Sequence, residues 1–132
     1  MATKLQLAPT APKSSMSAGM SAFFSIADHW RLSTDEARVL LGQPSRSTFF
    51  KWKKGHVAQT AHDIDLATRL GHILGIFKSL EILYPSSQLA DRWVKEPNLA
   101  FGGQSALSRM LAGQITDLAA VRSYLDSVRG GW

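Results

Sequence analysis

The stretch Ser45-Arg46-Ser47-Thr48-Phe49-Phe50-Lys51-Trp52-Lys53-Lys54 decides the reading of this 132-residue chain. It forms one short helix with an apolar side and a basic side. Phe49 and Trp52, three apart, share a helix face and anchor it in a small core. The opposite side carries Ser47, Phe50, Lys51 and Lys54, with Arg46 at the helix start. Ser45 is suited to cap the helix, and Gly55 stops it.

Immediately upstream lies a tight turn, Gly42-Gln43-Pro44, and before that Ser33-Thr34-Asp35-Glu36. In that capping box Ser33 accepts from the Glu36 amide while Glu36 reaches back to Ser33. It opens a helix that runs to Leu41, and Gly42 suits the left-handed position just past a helix end. A capped helix, a short turn and a second basic helix make the helix-turn-helix layout, which lays its second helix in a DNA groove. Arg46 suits a bidentate contact to guanine, while Ser47 and Thr48 are short enough to approach base edges. Lys51, Lys53 and Lys54 suit phosphate, as does the amide-rich helix start at Ser45. Gln43 in the turn is a further candidate.

Charge placement agrees with this. Residues 1–57 hold eight Lys/Arg against three Asp/Glu, whereas residues 58–132 hold seven against seven. The whole excess of +5 therefore lies in the half with the basic helix. Such a half attracts phosphate through counterion release, although a solvated basic surface has the same composition.

Outward from this centre the periodicity is helical throughout, and the expected fold class is all-α. An N-terminal helix-turn-helix is joined by a long central helix to a small C-terminal helical domain. Residues 1–16, rich in Ala, Thr, Ser and Pro, form an expected flexible arm. Residues 17–58 form the DNA-binding domain and residues 59–132 the second domain. A first helix is expected over 17–30, with Met20, Phe23, Phe24, Ala27 and Trp30 at helical spacing. A long helix is expected from about Thr60 to Tyr84, ended by Pro85, spanning about 37 Å. Leu66, Leu70, Ile73, Phe77, Leu80 and Tyr84 make its seam, widened by Ile64, Leu74, Ile76, Ile82 and Leu83. So broad an apolar face fits a central core helix or a dimer contact, the first being preferred. Gly71 and Gly75 permit a close helix approach. A short helix over 88–94 follows, then a break at Pro97-Asn98 and a turn at Phe101-Gly102-Gly103. Ser105 caps the next helix, and Thr116 or Asp117 starts the last, whose stripe is Leu118, Val121, Leu125 and Val128.

Catalytic and metal chemistry find no support in the residues. Cysteine is absent, which removes disulfides, thiolate nucleophiles and cysteine-zinc sites together. The histidines His29, His56, His62 and His72 show no metal-ligand spacing, and no metal or other cofactor is expected. A small hydrolase built on Asp91 or His72 would lack a base–nucleophile constellation, so no enzyme is expected. No apolar run approaches the roughly 18 residues of a membrane helix, and residues 1–15 do not read as a secretory signal. The cytoplasm is the expected location. The ending Arg129-Gly130-Gly131-Trp132 gathers a cation, a two-glycine hinge and a large ring within roughly 13 Å of extended chain. That is reach enough to enter a partner's cleft.

Together these stretches resemble antitoxins of the Xre/MbcA/ParS family, which pair a Xre-type helix-turn-helix with a toxin-binding domain. The resemblance covers residues 17–132. It rests on the Ser45–Gly55 helix, Leu70-Gly71-His72-Ile73-Leu74-Gly75-Ile76, Asp91-Arg92-Trp93-Val94 with Pro97-Asn98, and Phe101-Gly102-Gly103-Gln104-Ser105-Ala106-Leu107. Met110-Leu111-Ala112-Gly113 and Tyr124-Leu125-Asp126 through to Trp132 complete it. Gln104-Ser105-Ala106 departs from a family pattern that has Pro after Ser. The resemblance implies an antitoxin that neutralises a RES-domain, NAD-degrading toxin and represses its own operon through operator DNA. It also implies that Arg129, Gly130, Gly131 and Trp132 block the toxin's active-site entrance; a homodimer is the expected assembly. The alternative is a free-standing helix-turn-helix regulator whose second domain only dimerises.

Overall fold

A computed structural model describes residues 15–57 and 63–130. Among these residues the fold is all-α: α1 (Ser15–His29), α2 (Thr34–Leu40), α3 (Arg46–Lys53), α4 (Ile64–Leu83), α5 (Ser87–Trp93), α6 (Ala106–Met110) and α7 (Ile115–Val128). A single 3-10 turn, Leu99–Phe101, lies between α5 and α6. The expected arm lies almost wholly outside the described residues, as does the expected start of the long helix at Thr60.

Local chemistry sets most boundaries. The Ser33–Glu36 box is formed in full, with the Ser33 amide donating to Glu36 Oε1 at 2.8 Å and the Glu36 amide to Ser33 Oγ at 3.0 Å. Ser45, Ser86 and Ser105 cap α3, α5 and α6 by the same side-chain acceptance. Asp63 caps α4, taking the Leu66 amide at 3.1 Å. The last helix starts earlier than Thr116, at Ile115, because the Asp117 carboxylate reaches back to the Gln114 amide at 3.0 Å. That carboxylate is also held by Arg109 Nε at 2.8 Å.

The central helix α4 is the axis on which both ends of the chain are packed. Its buried residues are Leu66, Arg69, Leu70, Ile73, Ile76, Phe77, Ser79 and Leu80, which is the face a core helix needs. α1 packs on it from one side and α7 from another, with α5 against its C-terminal part. The core is one cluster that runs from Met20, Phe23, Ile26 and Trp30 through α4 to Met110, Leu118, Val121 and Leu125. At α3 an edge-to-face relay of rings, Phe23–Phe24–Phe49–Phe50, joins the basic helix to α1 at centroid distances of 5.2–5.3 Å.

Three expected core positions face solvent instead. Ile64 is 75% exposed, Ile82 56% and Val128 50%. Each lies at a helix end, where neighbouring helices no longer cover the stripe that periodicity extends.

Two arginines and one glycine set the close contacts; the close approach expected at Gly71 is not made there. An added Cβ at Gly75 would lie 2.6 Å from Arg122 Nε, so this glycine makes room for the α7 side chain, whose Nη1 donates to Gly71 O at 3.2 Å. At Gly71 an added Cβ meets nothing. Arg69, only 7% exposed, donates to Asp65 Oδ2 (2.9 Å), Leu40 O (3.4 Å) and Gly113 O (2.9 Å). One guanidinium thus ties α4 to the end of α2 and to the turn between α6 and α7.

Candidate functional site

The basic face begins at the turn between α2 and α3. Gly42 and Gln43 are both left-handed, at φ 91° and 62°, and the Gln43 amide donates to Arg38 O at 2.8 Å. Left-handed backbone is uncommon outside glycine. At Gln43 it is held by that hydrogen bond and by Arg38 Nε on Pro44 O at 3.0 Å. The turn also rests on α4, since a Cβ at Gly42 would come within 3.3 Å of both Arg69 Nε and Asp65 Oδ2.

Of the residues expected to meet DNA, the structure divides those already engaged from those left open. Ser45 Oγ accepts from the Thr48 amide at 3.1 Å and pairs with Thr48 Oγ1 at 3.0 Å, so both hydroxyls hold the helix start together. Arg46 Nη1 donates to Asp35 Oδ1 at 3.2 Å, and its guanidinium lies 5.8 Å from the Phe50 ring centroid. Asp35 is itself mostly exposed, and such surface pairs contribute at most about 1 kcal/mol. A phosphate or guanine can therefore displace it. Ser47, Lys51, Lys53 and Lys54 are exposed. Lys53 and Lys54 also border an open groove of about 500 Å³ between α3 and α1, where Ser21 and Asp28 face them.

The second candidate region is the end of α7. Arg129 caps that helix, and its Nη1 donates to Ser79 Oγ at 3.0 Å, with Asp126 at 3.8 Å. Ser79 is buried on α4, so Arg129 is latched to the body of the protein rather than carried on a free tail. Gly130 is left-handed at φ 93° and turns the chain there. Gly131 and Trp132 lie outside the described residues. Close by, Trp93 and Tyr124 stack with rings 13° from parallel at 6.3 Å, and Phe101 meets Tyr124 edge-on at 5.4 Å. Burial pushes the Tyr84 phenol upward, with Tyr124 and Glu96 adding to the shift.

Residues expected to be idle have structural partners. Asp91 Oδ2 accepts from His29 Nδ1 at 3.1 Å across α1 and α5. Among the described residues no group of three or more His, Asp or Glu is placed to hold a metal ion. No described helix is long and apolar enough to cross a membrane.

Residues 14–75 match the antitoxin Xre-like helix-turn-helix domain, and residues 79–131 match the antitoxin Xre/MbcA/ParS C-terminal toxin-binding domain. The chain belongs to the Xre-family antitoxins. The antitoxin is also similar to the uncharacterized protein y4oB of Sinorhizobium fredii (strain NBRC 101917 / NGR234), at 49% identity over 123 residues and 93% of each chain. No solved structure matches it significantly.

The two domain matches meet inside α4, not in the loop before it. They are separated by residues 76–78, between Gly75, which leaves room for Arg122 of α7, and Ser79, which accepts from Arg129 at the end of that helix. Sequence reasoning missed both arginine contacts and Arg69. A polar residue on an otherwise apolar stripe, Arg69 beside Leu66 and Leu70 or Ser79 beside Ile76 and Leu80, is the signal that could have found them.

Proposed function

We propose that this antitoxin binds and neutralises a RES-domain toxin that degrades NAD, and binds operator DNA to repress its own operon. The observation that carries the reading is the joining of a helix-turn-helix match and a toxin-binding match on one chain with a continuous core. In this reading residues 17–58 bind DNA and residues 59–132 bind toxin. α3 enters the major groove, with Arg46 and Ser47 at base edges and Lys51, Lys53 and Lys54 on phosphates. Ser45 and Thr48 then act chiefly through the helix start they hold, where backbone amides meet phosphate. Gln43 reaches the duplex from the turn.

On the toxin side, Gly130, Gly131 and Trp132 enter the active-site cleft while Arg129 supports them. The antitoxin works without cofactor or catalysis of its own. It acts as a cytoplasmic homodimer, which matches the two-fold symmetry usual in operators.

The test is co-expression with the RES-domain toxin gene of the same operon, followed by purification and mass measurement. A stable toxin–antitoxin complex is expected. Separate elution of the two proteins at micromolar concentration, each folded, would overturn the reading.

A further inference from the structure

α5 and α7 each present an exposed apolar side chain one helical turn from an aromatic ring. Leu89 precedes Trp93 by four residues on α5, and Val128 follows Tyr124 by four on α7. Residues four apart share a helix face. Trp93 and Tyr124 stack on each other, so their contact joins the two faces into one strip: Leu89, Trp93, Tyr124, Val128. Leu89 is 45% exposed and Val128 50%. Phe101 wedges edge-on against both rings, at 6.3 and 5.4 Å, which brings the 97–105 loop to the same strip.

That loop displays Leu99 at 94% exposure, the highest of any large apolar side chain among the described residues. The display is fixed. Asn98 Oδ1 accepts from the Ala100 amide at 2.9 Å, and Asn98 O from the Phe101 and Gly103 amides at 3.0 Å. The Asn98 amide donates to Gln104 O at 3.0 Å, and Gly102 and Gly103 take the left-handed turn at φ 67° and 85°. A leucine held in water by a loop whose backbone is already ordered has no folding role to explain it. It forfeits little further entropy on binding.

We infer that Leu89, Leu99, Val128 and the rings of Trp93, Phe101 and Tyr124 form the apolar gripping surface for the toxin, distinct from the tail that blocks it. The inference rests on the functional reading above. Three observations assign the occupant. All six residues fall within the toxin-binding match at 79–131, and the DNA-facing helix α3 lies in the other match. The strip ends at Val128, next to the Arg129 latch and the Gly130 turn, so it is continuous with the segment assigned to the toxin cleft. Its composition, aromatic rings flanked by aliphatic side chains, is that of an interface centre and not of a nucleic-acid contact. The partner surface it fits is an apolar patch beside the toxin's cleft mouth.

The experiment compares the full-length antitoxin with Leu99→Asp/Val128→Asp and with a chain lacking Gly130–Trp132, titrating each into purified RES-domain toxin by calorimetry. Both substituted side chains are exposed, and circular dichroism checks the fold of each variant. The double variant is expected to weaken toxin affinity by roughly 30-fold or more, as loss of central anchors does. The tail deletion should weaken it several-fold less. Equal affinity of the double variant and the unaltered protein would overturn the strip. So would a change in antitoxin self-association with toxin affinity kept, which would give the strip to a second copy of the chain. Failure of the unaltered protein to bind the toxin at all would instead sink the functional reading, and the strip with it.

Discussion

Arg46 shows how far single residues were legible. Its place at the start of a capped basic helix marks it for DNA, yet its resting partner Asp35 is eleven residues away in sequence and no local pattern pairs them. Arg46→Ala should lower discrimination between operator and unrelated DNA by about 1–3 kcal/mol if the guanidinium reads a guanine. Lys54→Ala should weaken binding to every sequence alike and flatten its salt dependence by about one unit of slope. Mobility-shift titrations at several salt concentrations separate the two effects, and identical curves for both variants would reject the division. His72 was equally opaque in the sequence. Burial, then the charge of Arg122, lowers its pKa below the ordinary 6.5, and its Nδ1 is buried with no hydrogen-bond partner among the described residues. The folded protein thus resists protonating a ring that the unfolded chain protonates freely. The stability this ring contributes is full above pH 6.5, and is lost as pH falls from there through the lower native value. His72→Gln should remove that part of the pH dependence in denaturant titrations between pH 7 and 4.5, and an unchanged profile would contradict the assignment.

At the scale of elements, helices whose ends carry their own instructions were readable. The Ser33–Glu36 box and the Ser45 and Ser105 caps act across three residues, and the hydrogen bonds of the Gly42 turn across no more than six, so local sequence specifies them. What α4 packs against was not readable, because Arg69, Gly75 and Ser79 meet partners 29 to 50 residues away. The two glycines of α4 separate these cases. Gly71 has open space around a new Cβ, so Gly71→Ala should stabilise by about 0.5–1 kcal/mol through lower backbone freedom in the unfolded chain. Gly75→Ala gains the same helical preference but must displace Arg122, which then loses Gly71 O. Its net gain should be smaller or negative. Urea melts of the two variants test this, and a larger gain at Gly75 than at Gly71 would show that the Arg122 contact is misplaced.

Across the whole molecule the division of charge was legible, and the division of packing was not. Excess cations end before residue 58, in the half matched by the helix-turn-helix model, but the core passes through that point without a break. Phe77 of α4 touches His29 at the end of α1 and Trp30 just beyond it, and Arg69 joins α2 to the α6–α7 turn. A fragment beginning at residue 60 would expose the Leu70, Ile73 and Phe77 face. It should therefore bind toxin weakly and melt well below the full chain, by more than the fragment's smaller size accounts for. Cooperative melting of that fragment at the full-length temperature would show that the two halves are independent after all. The inhibitory claim has a sharper test. The most direct measurement is NAD consumption by the purified RES-domain toxin, with full-length antitoxin and with a chain lacking Gly130–Trp132, each at concentrations giving equal toxin occupancy. Consumption should stop with the full-length protein and continue with the shortened one, whereas complete inhibition by the shortened chain would contradict a tail that closes the active site.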